Sequence, residues 1–116
     1  MDVMLRRGDV AARQAGALAL GILEGGGALT GAAAAVDRAT RGALTAVLRQ
    51  RDFRGRFLET VVLYPRGLRA KRVILVGLGP RAALDARRVR LAAAQAAKRA
   101  RELGAGTLVT VAHGAG

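Results

Sequence analysis

The sequence predicts an α/β fold: a layered mixed sheet flanked by helices. Three observations carry it. Arg72–Val76 is apolar at every position after the arginine, so both of its faces need cover, as in a sheet with helices on either side. Segments with helical spacing of apolar residues, 31–49 and 85–103, alternate with strand-like runs. Thr60–Tyr64 is β-branched and apolar and closes at Pro65-Arg66-Gly67, a turn that leads into the Arg72 run.

From the N-terminus, Asp2–Leu5 alternates and predicts a first strand, followed by a turn at Arg6-Arg7-Gly8-Asp9. Ala17–Leu23 is a continuous apolar run that stops at Glu24-Gly25-Gly26-Gly27. A short run bounded by glycines predicts a buried strand. Thr30 is placed to cap a helix from Gly31, along which Val36, Ala39, Ala43, Leu44, Val47 and Leu48 keep helical spacing. Gly42 costs about 1 kcal/mol against alanine inside a helix and marks where this segment can divide. Arg51–Arg56 reads as a polar connection. After the strand at 72–76, Gly77–Pro80 reads as a tight turn. Asp85 is placed to cap a last helix that stops at Gly104, with an apolar stripe of Val89, Ala92, Ala93, Ala96, Ala100 and Leu103. Thr107–Val111 predicts the final strand. The order is β-β-α-β-β-α-β, and its last strand–helix–strand unit is expected to be a right-handed parallel crossover.

A length of 116 residues predicts one domain, residues 1–116. Aromatics are only 3% (Phe53, Phe57 and Tyr64), so alanine, leucine and valine must fill the core. The absence of cysteine excludes disulfides, thiolate zinc sites and a cysteine nucleophile. The N-terminus has an early acid and too short an apolar run for a signal peptide, and Ala15–Leu23 is about half of the ~20 residues a membrane span needs. The expectation is a cytoplasmic protein with no membrane partner.

The formal charge is +12, and of 20 cationic residues only Lys71 and Lys98 are lysines. Such a balance predicts attraction to polyanions such as nucleic acid. Two blander readings compete with it: a compositional bias of the source, and an acidic remainder elsewhere in a longer protein. The last helix carries Arg87, Arg90, Lys98 and Arg101 along one stripe, with Arg88 and Arg99 beside it. This stripe is a candidate polyanion face; the plain alternative is a solvated helix surface.

Other candidate chemistry is thin. Gly77-Leu78-Gly79-Pro80-Arg81-Ala82 fits the G-x-G-x-x-G/A pattern after a strand, where glycines let amides approach a pyrophosphate. Against this, Pro80 lacks an amide donor, the helix begins late, and no acid follows at ribose-binding distance. Gly25-Gly26-Gly27 is not followed by Lys-Ser/Thr, so it is no P-loop. His113, the single histidine, has no nucleophile or carboxylate nearby in sequence. The eight acids are scattered singly, and a metal centre needs several converging. No catalytic, cofactor-binding or metal-binding residue is assigned.

Several stretches, in order, resemble one family. Ala17–Gly25 reads as a strand that ends in an acidic-glycine turn. The helix Ala35-Val36-Asp37-Arg38-Ala39 leads to Gly42-Ala43-Leu44, and Asp52-Phe53-Arg54-Gly55-Arg56 with Glu59-Thr60 is close to a "DFxGKxGET" pattern. Arg72-Val73-Ile74-Leu75-Val76-Gly77-Leu78-Gly79 matches an "RVLLVGLG" strand, and Arg90-Leu91-Ala92-Ala93-Ala94 follows in the helix. Together they make the whole chain similar to the N-terminal domain of the M17 family of leucyl (cytosolic) aminopeptidases. Phe57-Leu58 stands where that pattern has small residues. The resemblance implies a macro-domain-like fold and a hexameric full-length enzyme that removes N-terminal residues, leucine preferentially, with two divalent metals, zinc or manganese. It places the metal ligands and catalytic Lys and Arg in a carboxy-terminal domain around "NTDAEGR", which does not occur here. The implied role of this chain is non-catalytic: it supports the catalytic domain of the same polypeptide and the assembly of the homo-oligomer. The rival readings are a nucleic-acid-binding module and, from the fold implied, a nucleotide or ADP-ribose binder.

Overall fold

The computed structural model describes residues 1–6, 14–25 and 29–111. The strands are β1 (Asp2–Arg6), β2 (Ala17–Glu24), β3 (Thr60–Leu63), β4 (Val73–Pro80) and β5 (Thr107–Val111). The helices are α1 (Gly31–Ala39), α2 (Ala43–Gln50) and α3 (Ala86–Glu102), and a 3-10 turn spans Arg81–Ala83. The five strands form one mixed sheet in the order β1-β5-β2-β4-β3. β1, β5, β2 and β4 run parallel, and β3 pairs antiparallel with β4 at the edge. The unit β4–α3–β5 joins two parallel strands with β2 between them, so the expected parallel crossover is present.

Strand alternation distributes the apolar residues to two cores. Leu18, Leu20 and Ile22 of β2, Val73 and Leu75 of β4, and Val109 of β5 pack with Val36 of α1 and Leu44 of α2. Ala17 and Ala19 of β2, Ile74, Val76 and Leu78 of β4, and Leu108 of β5 face Ala92, Ala96 and Ala100 of α3. The central strands are therefore covered on both sides, as their unbroken apolar runs require. On this side the buried residues of the helix are all alanines, and the sheet supplies the larger side chains Ile74, Val76, Leu78 and Leu108.

Gly42 divides the first helical segment as anticipated. Its φ of 88° is left-handed, which glycine adopts at little cost, and it serves as N-cap of α2. The side chain that satisfies the start of α2 belongs to Asp37. Its Oδ1 accepts from the amides of Leu44 and Thr45, both at 3.0 Å, and its Oδ2 from the Thr45 hydroxyl at 2.6 Å. Asp85 caps α3 as predicted, with Oδ1 accepting from the Arg88 amide at 2.8 Å. Thr30 does occupy the N-cap of α1, but its side chain makes no capping hydrogen bond.

Two expectations need correction. Arg51–Arg56 is more than a polar connection, because Phe53 is fully buried in the α1/α2 core and is among its largest buried side chains. Gly77–Pro80 is not a tight turn: β4 continues to Pro80, still paired with β2 through Ile22↔Gly77, Leu23↔Gly79 and Glu24↔Pro80. A bulge between Ile22 and Leu23 skips Leu78, and Gly79, with φ +78°, supplies the conformation it needs. His113, Gly26, Gly27 and Arg7-Gly8-Asp9 lie outside the described residues.

Candidate functional site

The glycines at the end of β4 serve the chain's own backbone. A Cβ on Gly77 would lie 1.7 Å from the Arg56 carbonyl oxygen and 2.6 Å from the Gly55 carbonyl carbon. The Gly77 amide donates to the Glu59 carbonyl at 2.7 Å, and the Gly77 carbonyl accepts from Leu58 at 3.0 Å. The Gly79 amide donates to the Gly55 carbonyl at 2.9 Å. Segment 55–59 thus extends the antiparallel pairing of β3 along the outer half of β4. Gly55 has φ +80°, and a Cβ there would lie 2.8 Å from the Leu23 carbonyl oxygen. The Glu59 carboxylate closes the segment by accepting from the amides of Arg54 at 2.9 Å and Arg56 at 3.2 Å. The Gly77 and Gly79 amides, which a pyrophosphate would use, are already bonded to carbonyls of this chain, and the space above Gly77 is filled by the Arg56 carbonyl.

On the other side of this cradle, the Arg88 guanidinium lies over the Phe57 ring, 4.5 Å from its centroid, a cation–π contact. Leu58 holds φ +66°, left-handed and unusual for leucine. It stands where the resembled pattern carries a small residue, which fits the backbone that this position must adopt.

The alanine face of α3 fixes the direction of its opposite face. At 100° per residue, Arg87, Arg90, Lys98 and Arg101 fall within an arc of about 80° centred away from Ala96. All four are exposed. The first and last are about 21 Å apart along the axis. The predicted stripe is therefore brought together. Its two predicted neighbours are engaged elsewhere: Arg88 with Phe57, and Arg99 with Glu102 at 3.7 Å.

An apolar cleft lined by Ala19, Gly21, Val76, Ala93 and Ala96 measures about 20 Å³. That admits about one water, against the roughly 300–1,000 Å³ of small-molecule sites. Among the described residues no group of three or more His, Asp or Glu could hold a metal, so they do not fit the di-metal centre that the resemblance implies for the enzyme. Among them, no helix is long and apolar enough to cross a membrane. Sequence reading missed Glu59, Asp37 and Phe53 as organising residues. The signals available were an acid four residues after a glycine, an acid five before a helix-dividing glycine, and an aromatic in a chain that has few.

Comparison with known proteins places these features in context. The family profile "Cytosol aminopeptidase family, N-terminal domain" matches residues 10–114. A probable cytosol aminopeptidase of Bordetella pertussis is 47% identical over 72 residues, which cover 61% of this chain and 14% of the relative. One from Roseiflexus castenholzii is 51% identical over 53 residues, covering 45% and 11%, and one from Alkalilimnicola ehrlichii 43% over 79 residues, covering 67% and 16%. A mutant of tomato leucine aminopeptidase has the same fold, with a TM-score of 0.72 at 24% identity over 100% of this chain and 24% of that one. The matched region spans no more than about a sixth of the curated relatives named.

Proposed function

Since the chain belongs to the cytosol aminopeptidase family, as its N-terminal domain, we propose that it is the non-catalytic N-terminal domain of a leucyl aminopeptidase. In this reading it braces a catalytic domain in the same polypeptide and supports assembly of a homo-oligomer, a hexamer at full length, in the cytoplasm. The whole protein removes N-terminal residues from peptides. Its two divalent metals, zinc or manganese, are held by the catalytic domain, and this chain contributes no ligand to them.

The observation that carries the reading is the family match over residues 10–114. The packing is consistent with it. The sheet has both faces of its central strands filled, its glycine-rich strand is sealed by the chain's own backbone, and its described cleft has room for about one water. A nucleotide or ADP-ribose site has only fold likeness in its favour.

The test is hydrolysis of leucine p-nitroanilide by this chain with Mn²⁺ or Zn²⁺ added. The expected result is no turnover above a metal-only blank. Clear turnover would end the non-catalytic assignment. For the assembly role, the full-length protein is compared with a form lacking these residues; unchanged mass and unchanged activity would argue against bracing.

A further inference from the structure

We propose that the free edge of β3 binds an extended, acidic-ended segment of a partner protein by strand addition. β3 is the last strand of the sheet and pairs on one side only, with β4. The ladder fixes which of its backbone groups are used. Gly77 of β4 donates to the Glu59 carbonyl and accepts from the Leu58 amide, whereas the Arg72 carbonyl accepts from Leu18 of β2. Along β4, residues 73, 75 and 77 therefore turn toward β3, and residues 72, 74 and 76 toward β2. Val61 and Leu63 lie opposite Leu75 and Val73 and are bonded to them; Thr60 and Val62 lie opposite Val76 and Ile74. The N–H and C=O groups of Thr60 and Val62 thus point away from the sheet, with no strand beyond them.

Sheet edges are commonly blunted by a lysine, a proline or a bulge. Thr60–Tyr64 has no charge and no proline, and its register with β4 is unbroken from Thr60 to Leu63. The stretch is about 17 Å long, enough for five added residues. Its side chains have room for cross-strand neighbours. Val61 and Leu63 border the α1/α2 core and Val62 the α3 core, all partly buried, and Tyr64 is 67% exposed. Charge selects the occupant. Arg54 and Arg56 precede the edge and Arg66 and Arg69 follow it; all four are exposed, and none forms an ion pair among the described residues. The one acid between Arg54 and Arg69 is Glu59, whose carboxylate already accepts from the amides of Arg54 and Arg56. A segment with β-branched residues in the middle and Asp or Glu at both ends matches this edge in either direction. A second copy matches it poorly. Antiparallel pairing of β3 with itself brings Arg66 of each copy to the Arg56 end of the other, and like charges across a pair are destabilising. The inference stands apart from the aminopeptidase reading, since the edge needs no catalytic domain.

The probe is the fluorescein-labelled peptide DEVTVTVED, titrated into this chain and followed by anisotropy and by amide hydrogen exchange. Binding with Kd of about 1 mM or tighter is expected. At saturation, exchange at the Thr60 and Val62 amides should slow by about tenfold or more. That readout uses the unaltered chain and so does not depend on any variant folding. R56E/R66E should weaken the peptide by about tenfold or more and turn the preference toward KRVTVTVRK. R90E/K98E makes the same change in net charge on the outward face of α3 and should leave affinity within about threefold. The proposal is overturned if the peptide does not bind, or binds without slowing exchange at Thr60 and Val62. It is also overturned if DEDEDEDED binds equally well, since charge alone would then be the cause, or if a folded R56E/R66E binds DEVTVTVED unchanged. Protection of Thr60 and Val62 in the free chain that rises with its concentration would assign the edge to a second copy, and overturns the proposal as well.

Discussion

Substitution of Gly77 by alanine tests whether the cradle on β4 depends on contact or on conformation. The position has ordinary extended backbone, so φ does not require glycine there; contact does. The new Cβ would sit 1.7 Å from the Arg56 carbonyl oxygen, where ordinary contact begins near 3.4 Å. Both partners are backbone, so relief requires segment 55–59 to lift from β4. That disturbs the hydrogen bonds of Gly77 with Glu59 and Leu58, and the Gly79–Gly55 bond beside them. A net bond contributes about 1 kcal/mol, and a buried group left unpaired costs about 1–3 kcal/mol. The expected loss is roughly 3–5 kcal/mol, a large part of the ~5–15 kcal/mol that stabilises a domain. In urea, with a slope of about 1.5 kcal/mol/M, the midpoint should drop by roughly 2–3 M. Gly104→Ala is the companion. Gly104 has φ +66° and nothing within 4 Å of its built Cβ. Its strain of about 1–2 kcal/mol is partly offset by a stiffer unfolded chain, so its midpoint should move by under about 1 M. If Gly104→Ala costs as much as Gly77→Ala, or if Gly77→Ala is silent, close backbone approach is not what the Gly77 position is for.

Two further outcomes follow from the core and the caps. Phe53→Ala should destabilise by about 3–5 kcal/mol, read by chemical denaturation, and a loss below about 1 kcal/mol would show that the 51–59 connection is not anchored by its ring. Asp37→Ala removes the partner of two amides and a hydroxyl at the start of α2, and should cost about 1–2 kcal/mol. Hydrogen exchange should then quicken first at Leu44 and Thr45; uniform quickening along the chain would contradict a local capping role.

The strands and helices were legible because each has a strong local signature. Arg72–Val76 is apolar on both faces, and Asp85 precedes a long alanine-rich period. The misreadings share a cause: they concern residues whose role is set by a distant partner. Gly77 and Gly79 look like punctuation along the sequence, yet a glycine inside a strand can equally mark another backbone coming close. Here the backbone that comes close is 55–59, some twenty residues earlier. Phe53 sits among charges, so no periodicity marks it as core. Asp37 reads as a polar position of α1, while its partners lie beyond the break at Gly42. The basic stripe was visible from helical spacing alone, but the departure of Arg88 to Phe57 and of Arg99 to Glu102 is a matter of tertiary packing and side-chain reach.

The pairing of β1 with β5 bears on how the chain comes together during synthesis. Asp2 lies opposite Thr107 and Arg6 opposite Val111, so β1 pairs with a strand about a hundred residues later in the chain. At the usual rate of about 5–20 residues per second, β1 waits on the order of 5–20 s for its neighbour to be polymerised. β2 waits as well, because its two flanking strands are β4 and β5. No contiguous half of the chain can close this sheet, so folding must be late and collective, as in other proteins dominated by distant contacts. A nascent chain halted before Thr107 would leave β1 unpaired and one side of β2 open, so in the interval before β5 emerges these strand edges are exposed to pairing with other chains.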